Sequence, residues 1–332
     1  MQFNRLKRRE VITLLGGVAA AWPLAARAQR PALSVVGFLS ETFPEGQETN
    51  NAAFKKSLSE AGFVEGRNLT IEYRFANNQL DRLPEMAADL VARNVAVIFA
   101  NGGAASARAA MAVTKSVPIV FNNGQDPVAM GLVTSFNRPG GNVTGVTFMA
   151  TELGPKRFEL LKELVPQAGR YAVLVDPNAP QTGPLVAELR AAAASLGRQV
   201  EVFGASKAGE IDKAFIDLIK KGSDALVVGS SSLFNARRVQ LVTLAAIHRL
   251  PAIYYDRNVV EVGGLISYGA SIREGQRQAG IYVGRILKGE KPGDLPVAQA
   301  AKFELIINLQ TAKSLGIEVP PSLLAQVDEV IE

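Results

Sequence analysis

Six short runs carry the chemistry this sequence can offer: Ser40-Glu41-Thr42-Phe43, Asn101-Gly102-Gly103-Ala104, Asn122-Asn123-Gly124, Asp176-Pro177-Asn178, Ser230-Ser231-Ser232 and Tyr255-Asp256-Arg257. Each follows an apolar run of strand character. Loops at the carboxyl ends of parallel strands are where open α/β sheets bind ligands. Small polar residues at a helix start leave backbone N–H groups free, and these groups with the helix dipole suit a carboxylate. Asp256 offers the opposite charge for an amine, while Phe43, Phe121, Tyr254 and Tyr255 offer ring faces. Taken singly, each serine or asparagine reads as a helix cap and each tyrosine as core packing. Only their convergence would make a site.

Covalent chemistry has little to work with. The one histidine, His248, falls inside a helical pattern over 233–249. There is no G-x-S-x-G elbow and no G-x-x-x-x-G-K-[ST] loop, and Gly102-Gly103 does not extend to G-x-G-x-x-G. The chain has no cysteine, which removes disulfides, thiolate metal sites, cysteine nucleophiles and a lipid anchor on an N-terminal cysteine. No catalytic residue, cofactor or metal ligand is expected.

The elements that must position the six loops follow from hydrophobic periodicity. Near-continuous apolar runs at 33–39, 95–100, 118–122, 171–175, 225–229 and 251–255 read as strands buried on both faces of a parallel sheet. Further strands are expected at 69–75, 199–203, 264–268 and 303–309. Helical spacing marks 47–61, 80–93, 104–115, 152–165, 184–196, 210–221, 233–249, 273–287 and 311–315. Alternating β and α implies helices on both faces of a parallel sheet. The stretch 118–146 begins as a strand and ends in the breaker cluster Arg138-Pro139-Gly140-Gly141-Asn142, after which the pattern restarts. It reads as the edge of one lobe and the crossing into another. The two halves echo each other: VAVIFANGG, helix, VPIVFNN in one, and DALVVGSSS, helix, LPAIYYD in the other.

Residues 1–28 have the form of an export signal, with Arg5, Lys7, Arg8 and Arg9, an apolar run from Val11 to Leu24, and Ala26-Arg27-Ala28. Cleavage after Ala28 is expected, and the paired arginines resemble a twin-arginine signal. This segment holds five basic residues and one acid, so it carries four of the five net positive charges of the chain. The remainder is near neutral, which gives no basic face for nucleic acid. With 48% apolar and 20% charged residues, it is ordinary globular sequence, long enough for two domains.

Five blocks then carry a family resemblance: PIVFNNGQDPVAMGLV, RPGGNVTGVT, LISYGASIREGQRQAGIYVGRILKGEKPGDLPV, FELIINLQTAKSLG and VPPSLL. They resemble the ABC-transporter substrate-binding proteins of the family that includes tryptophan- and tyrosine-linked periplasmic receptors. The resemblance implies a type I periplasmic binding fold, with two open parallel-sheet α/β lobes joined by a three-crossing hinge. It implies lobe 1 from 31–147 plus 268–297, lobe 2 from 148–267 plus 298–332, and hinge residues Thr147, Phe148 and Tyr268.

By that resemblance the ligand carboxylate sits on Asn101, Gly102, Gly103 and Ala104 with Asn122, Asn123 and Gly124. The ammonium meets Asp256, and Ser230, Ser231 and Ser232 cover the other side. Glu41, Thr42, Phe43, Asn178 and Tyr254 complete the candidate set. The sequence departs from the family in lacking Ser or Thr within Asn101-Gly102-Gly103. The implied protein is a monomeric periplasmic receptor for a small carboxylate-bearing solute, an aromatic or other amino acid. Its partners would be permease subunits and their ATPases, with no nucleic acid. A ligand sensor and a cleft enzyme remain alternatives. A sugar-type repressor of the same fold is set aside, because the export leader stands where its DNA-binding helices would be.

Overall fold

The computed structural model describes residues 33–148, 153–179, 181–299 and 302–332. The export signal and its cleavage site lie outside them. Among the described residues the strands form two sheets. The first has the order β11-β5-β4-β3-β1-β2, from Ala298–Gln299, Val143–Thr147, Ile119–Asn123, Val97–Asn101, Ser34–Ser40 and Leu69–Phe75, paired in parallel throughout. The second has the order β13-β12-β10-β9-β8-β6-β7, from Glu329–Ile331, Phe303–Asn308, Ile266–Ala270, Ala252–Tyr254, Ala225–Val228, Arg170–Val175 and Gln199–Gly204. Only the β10/β12 pair is antiparallel.

Both faces of each sheet are covered, as the apolar strands require. On the first sheet the Glu48–Glu60 and Ile272–Leu287 helices cover one face, around Phe38, Phe54 and Phe99. The Leu83–Ala92 and Ala104–Val113 helices cover the other. On the second sheet Gly154–Leu164 and Thr182–Ser195 oppose Ala208–Lys220 and Arg238–Ile247. The phenyl rings of Phe54 and Phe99 stack with centroids 4.5 Å apart.

The chain passes between the sheets three times, after β5, after β10 and after β11. Val143–Thr147 is a strand paired with β4, not part of a crossing, and the chain leaves the first sheet after it, at the expected position 147. The other two boundaries differ from the expected ones. Tyr268 lies mid-strand in β10, paired with Leu305, and the return comes at Ser271, which caps the Ile272–Leu287 helix. Ala298–Gln299 still pairs with β5, so the last crossing follows Gln299. The helical pattern over 233–249 is broken at Arg237 into Ser232–Ala236 and Arg238–Ile247, with His248 just past the end.

In each sheet the strand order reverses at one point, where neighbouring strands send the chain in opposite directions: between β1 and β3, and between β6 and β8. Crevices for ligands form outside such points. The loops that leave there are 40–43 and 101–104 in one lobe, and 176–178 and 229–232 in the other.

Candidate functional site

The two sets of loops meet. Ser232 Oγ hydrogen-bonds Asn78 Oδ1, Asn235 Nδ2 donates to the Gly46 carbonyl at 3.4 Å, and Arg238 lies 3.7 Å from Glu48. Phe43, from the first lobe, packs on a second-lobe cluster that includes Leu233 and Phe234. The carboxyl ends of the two sheets therefore face each other across a closed cleft.

The first-lobe side is a buried polar network. Ser40 Oγ and Thr42 Oγ1 lie 2.9 Å apart, Asn101 Nδ2 donates to Ser40 Oγ at 3.4 Å, and Gln276 Nε2 donates to Asn101 Oδ1 at 2.8 Å. Gln276 was not among the sequence candidates. It arrives on the helix that returns from the second lobe, a placement that no local pattern encodes. Its Oε1, Asn122 Oδ1 and Asn123 Nδ2 are buried with no hydrogen-bond partner among the described residues. Gly102 turns at φ +98°, and a Cβ there would come 2.7 Å from the Thr42 methyl. A Cβ at Gly124 would meet the Phe148 ring at 2.7 Å. Thr147 Oγ1 donates to the Gln125 carbonyl at 2.9 Å, so Thr147 and Phe148 adjoin the Asn122–Gly124 loop.

Glu41 sits against its own lobe's helix start. Its carboxyl folds over Gly103 at the start of the Ala104–Val113 helix. Burial pushes its pKa up to about 7, against the pull of the Ser106 and Ala105 backbone N–H groups and the Arg108 charge. Its Oε2 has no hydrogen-bond partner among the described residues. The expected carboxylate seat at 101–104 thus already has a carboxylate beside it, from the chain itself.

On the second-lobe side Asp176 organises the loops. Its Oδ2 accepts from Ser231 Oγ at 3.0 Å and its Oδ1 from the Asn178 N–H at 3.0 Å. Ser231 also caps the Ser232–Ala236 helix. The Ser230 carbonyl accepts from Gln181 at 2.8 Å. Asp256 is 3% exposed and caps the Arg257–Glu261 helix: its Oδ1 accepts from the Asn258 N–H at 3.0 Å and its Oδ2 from Asn258 Nδ2 at 3.4 Å. Burial raises its pKa, with the Asn258 N–H opposing.

Tyr254 is in the core, its ring against Gly264. The residue beside it, Tyr255, instead reaches the loop cluster, donating to the Ser231 carbonyl at 2.8 Å. Strand alternation sends the two rings to opposite sides, and the sequence alone does not say which side faces the cleft.

A further charged group, Arg157, was absent from the sequence candidates. It lies on the first turn of the Gly154–Leu164 helix, next to Tyr255 and Tyr268. It is 3% exposed, and its Nε and Nη1 have no hydrogen-bond partner among the described residues. Burial lowers its pKa to about 10, opposed by Tyr255, Glu188 and Tyr268, so it stays protonated at neutral pH.

Comparison with known proteins agrees with this architecture. Residues 42–331 match the family described as "ABC transporter substrate binding protein". The chain belongs to that family. An ABC transporter substrate-binding protein implies a small-molecule ligand and permease partners, and the family is one of binding proteins rather than enzymes.

This family member is 29% identical over 266 residues to a Clostridioides difficile (strain R20291) "Tyrosine-binding protein", covering 80% of this chain and 76% of that one. Among solved structures, a Streptococcus pneumonia ABC domain in complex with L-Trp is similar, at 25% identity and TM-score 0.77, covering 90% of this chain and 100% of that one. The ligand-free, open structure of a Clostridium difficile substrate-binding protein with adhesive properties is 26% identical with TM-score 0.62, covering 90% and 99%. No helix among the described residues is long and apolar enough to cross a membrane.

Proposed function

We propose that this substrate-binding protein is the periplasmic solute receptor of an ABC importer, exported by residues 1–28, and that it closes its two lobes on an amino acid with an aromatic side chain. The observation that carries this reading is the closed cleft. Loops and helix starts beyond the strand ends of both lobes touch through Ser232–Asn78, Asn235–Gly46 and Arg238–Glu48. Around it lie unpartnered polar atoms of Asn122, Asn123, Gln276 and Arg157.

Partly exposed rings of Phe43, Phe148 and Tyr255 stand at the loops and crossings that border it, with Tyr268 on the neighbouring strand β10. They suit an aromatic solute. The relatives named for tyrosine and for L-Trp support the same ligand class. The Asn101–Ala104 and Asn122–Gly124 loops, Thr42, Asn178 and Ser230–Ser232 form its walls, and Thr147 and Phe148 its hinge side.

The mechanism needs no chemistry on the ligand. Each lobe carries part of the complementary surface, so only the closed state makes all the contacts. A ligand shifts the open–closed equilibrium by its differential affinity for the two states. The permease, with its ATPases, would read the closed shape.

A thermal-shift screen of residues 29–332, refolded to strip carried ligand, tests the reading. A ligand at about a hundred times its Kd stabilises by roughly 2.7 kcal/mol. A shift with L-tryptophan or L-tyrosine and none with sugars is expected. A shift with sugars alone, or turnover of an amino acid into product, would overturn it.

A further inference from the structure

Arg157 is the anomaly of the second lobe. Its helix neighbours Phe158, Leu160 and Leu161 are core residues. It makes no ion pair among the described residues, and the nearby Glu188 also has a buried, unpartnered Oε2. Side chains on a helix lean toward its N-terminus. From the first turn, Arg157 therefore runs toward the carboxyl edge of the second sheet, where Tyr255 and Tyr268 lie. A buried guanidinium without a partner is strongly unfavourable, and a carboxylate is the group its planar fork fits.

The first lobe shows the complementary anomaly. The helix start at 104 is served by Glu41, whose Oε2 is buried and unpartnered. Asp256, in contrast, has both oxygens engaged by Asn258.

We propose that the cleft holds an amino acid with its carboxylate on Arg157 of the second lobe and its ammonium on Glu41 of the first, the reverse of the polarity implied by family resemblance. The proposal rests on the receptor reading above and adds which residue takes which end. One end of the ligand goes to each lobe, so a zwitterion ties the lobes together, whereas a compound with a single charge engages one lobe only.

Calorimetric titration of the exported form, residues 29–332, tests this with L-tryptophan, indole-3-propionate (no amine) and tryptamine (no carboxylate). The variants are Arg157→Gln, Glu41→Gln and Glu188→Gln. Arg157→Gln is expected to weaken L-tryptophan and indole-3-propionate by about 100-fold, the scale of a truncated buried charge pair, and to leave tryptamine unchanged. Glu41→Gln should weaken L-tryptophan and tryptamine and spare the propionate. Glu188→Gln should change none of them.

Ligand-free melting separates a structural role. Removing an unpartnered charge should leave the melting temperature of Arg157→Gln equal or higher. A lower melting temperature with equal loss for all three compounds would make Arg157 a structural partner of Glu188 and overturn the proposal. L-tryptophan binding unaffected by Arg157→Gln would overturn it while leaving the receptor reading intact. If the wild type binds neither L-tryptophan nor any other L-amino acid in the same titration, the receptor reading falls and the proposal with it.

Discussion

Gly46→Ala should weaken closure in addition to a small cost in folding. Gly46 has φ +82° in the first-lobe loop that meets the second lobe. A Cβ there would collide with Arg238 Nη1 and come 3.1 Å from the Asn235 carbonyl oxygen. To admit the methyl, the guanidinium must swing away. It would lose its 3.2 Å bond to the Asn235 carbonyl, worth about 1 kcal/mol. It would also lose the pair with Glu48, worth at most about 1 kcal/mol since Glu48 is largely exposed.

If the lobes instead stop short, the overpacking cost is about 1–3 kcal/mol. Either route places about 2 kcal/mol on the closed state alone, or a roughly 30-fold weaker Kd. The left-handed φ adds about 1 kcal/mol of strain in open and closed states alike, so it lowers the melting temperature without touching affinity. Titration of L-tryptophan into Gly46→Ala, Arg238→Ala and the double variant reads the effect. Arg238→Ala removes the atom the methyl strikes, so the double variant should bind little worse than Arg238→Ala alone. Wild-type affinity in Gly46→Ala, or a double variant showing the sum of both losses, would refute the reasoning.

Glu41→Gln should change the pH dependence of stability. Folding raises the Glu41 pKa from 4.5 to about 7, so its protonated form favours the fold. That contribution is fully present below about pH 4.5 and is lost as pH rises through 7. Wild type should fall relative to the variant by up to about 3 kcal/mol across that window in denaturant melts, and a constant gap would contradict it. Gly280→Ala should destabilise by about 2 kcal/mol or more, because its Cβ would come 2.6 Å from the Phe54 carbonyl between two helices. Gly209→Ala, in open space, should cost nothing measurable by the same melts. Asp256→Ala should lose a helix cap, about 1 kcal/mol, with amino-acid affinity kept within about threefold; a loss of about 100-fold at unchanged stability would restore Asp256 as the ammonium partner.

The fold was legible where burial writes itself into composition. β3 and β4 are buried at every position and read as apolar runs that end in Asn101 and in Asn122-Asn123. β5 was missed because VTGVT is short, follows a breaker cluster and contains a glycine. That glycine is there because a Cβ at 145 would strike the Phe121 backbone and ring. Two-residue β11 has no periodicity to detect. The positions of the candidate loops were legible because the carboxyl ends of strands in an α/β pattern are a topological address. The charges were not. Glu41 turns back onto Gly103 only because tertiary packing brings 41 and 103 together, and Asp256 is consumed by a local cap that competes with any ligand role. Arg157 looks like one more charged residue on an amphipathic helix until the sheet buries it.

Unpaired buried atoms link the energetics of the cleft to its function. Buried polar atoms in folded proteins are almost always paired, yet Asn122, Asn123 and Gln276 from one lobe and Arg157 from the other each keep unpaired atoms in the regions that converge on the cleft. An unpaired buried donor or acceptor costs about 1–3 kcal/mol, and more for a charge. Only closure would bring one solute within reach of such atoms from both lobes. A solute that satisfies them removes the penalty only in the closed state. The differential affinity that drives the hinge is then set by how many of these atoms the solute can reach, which is why replacing Arg157 should stabilise the ligand-free protein while weakening its response to an amino acid.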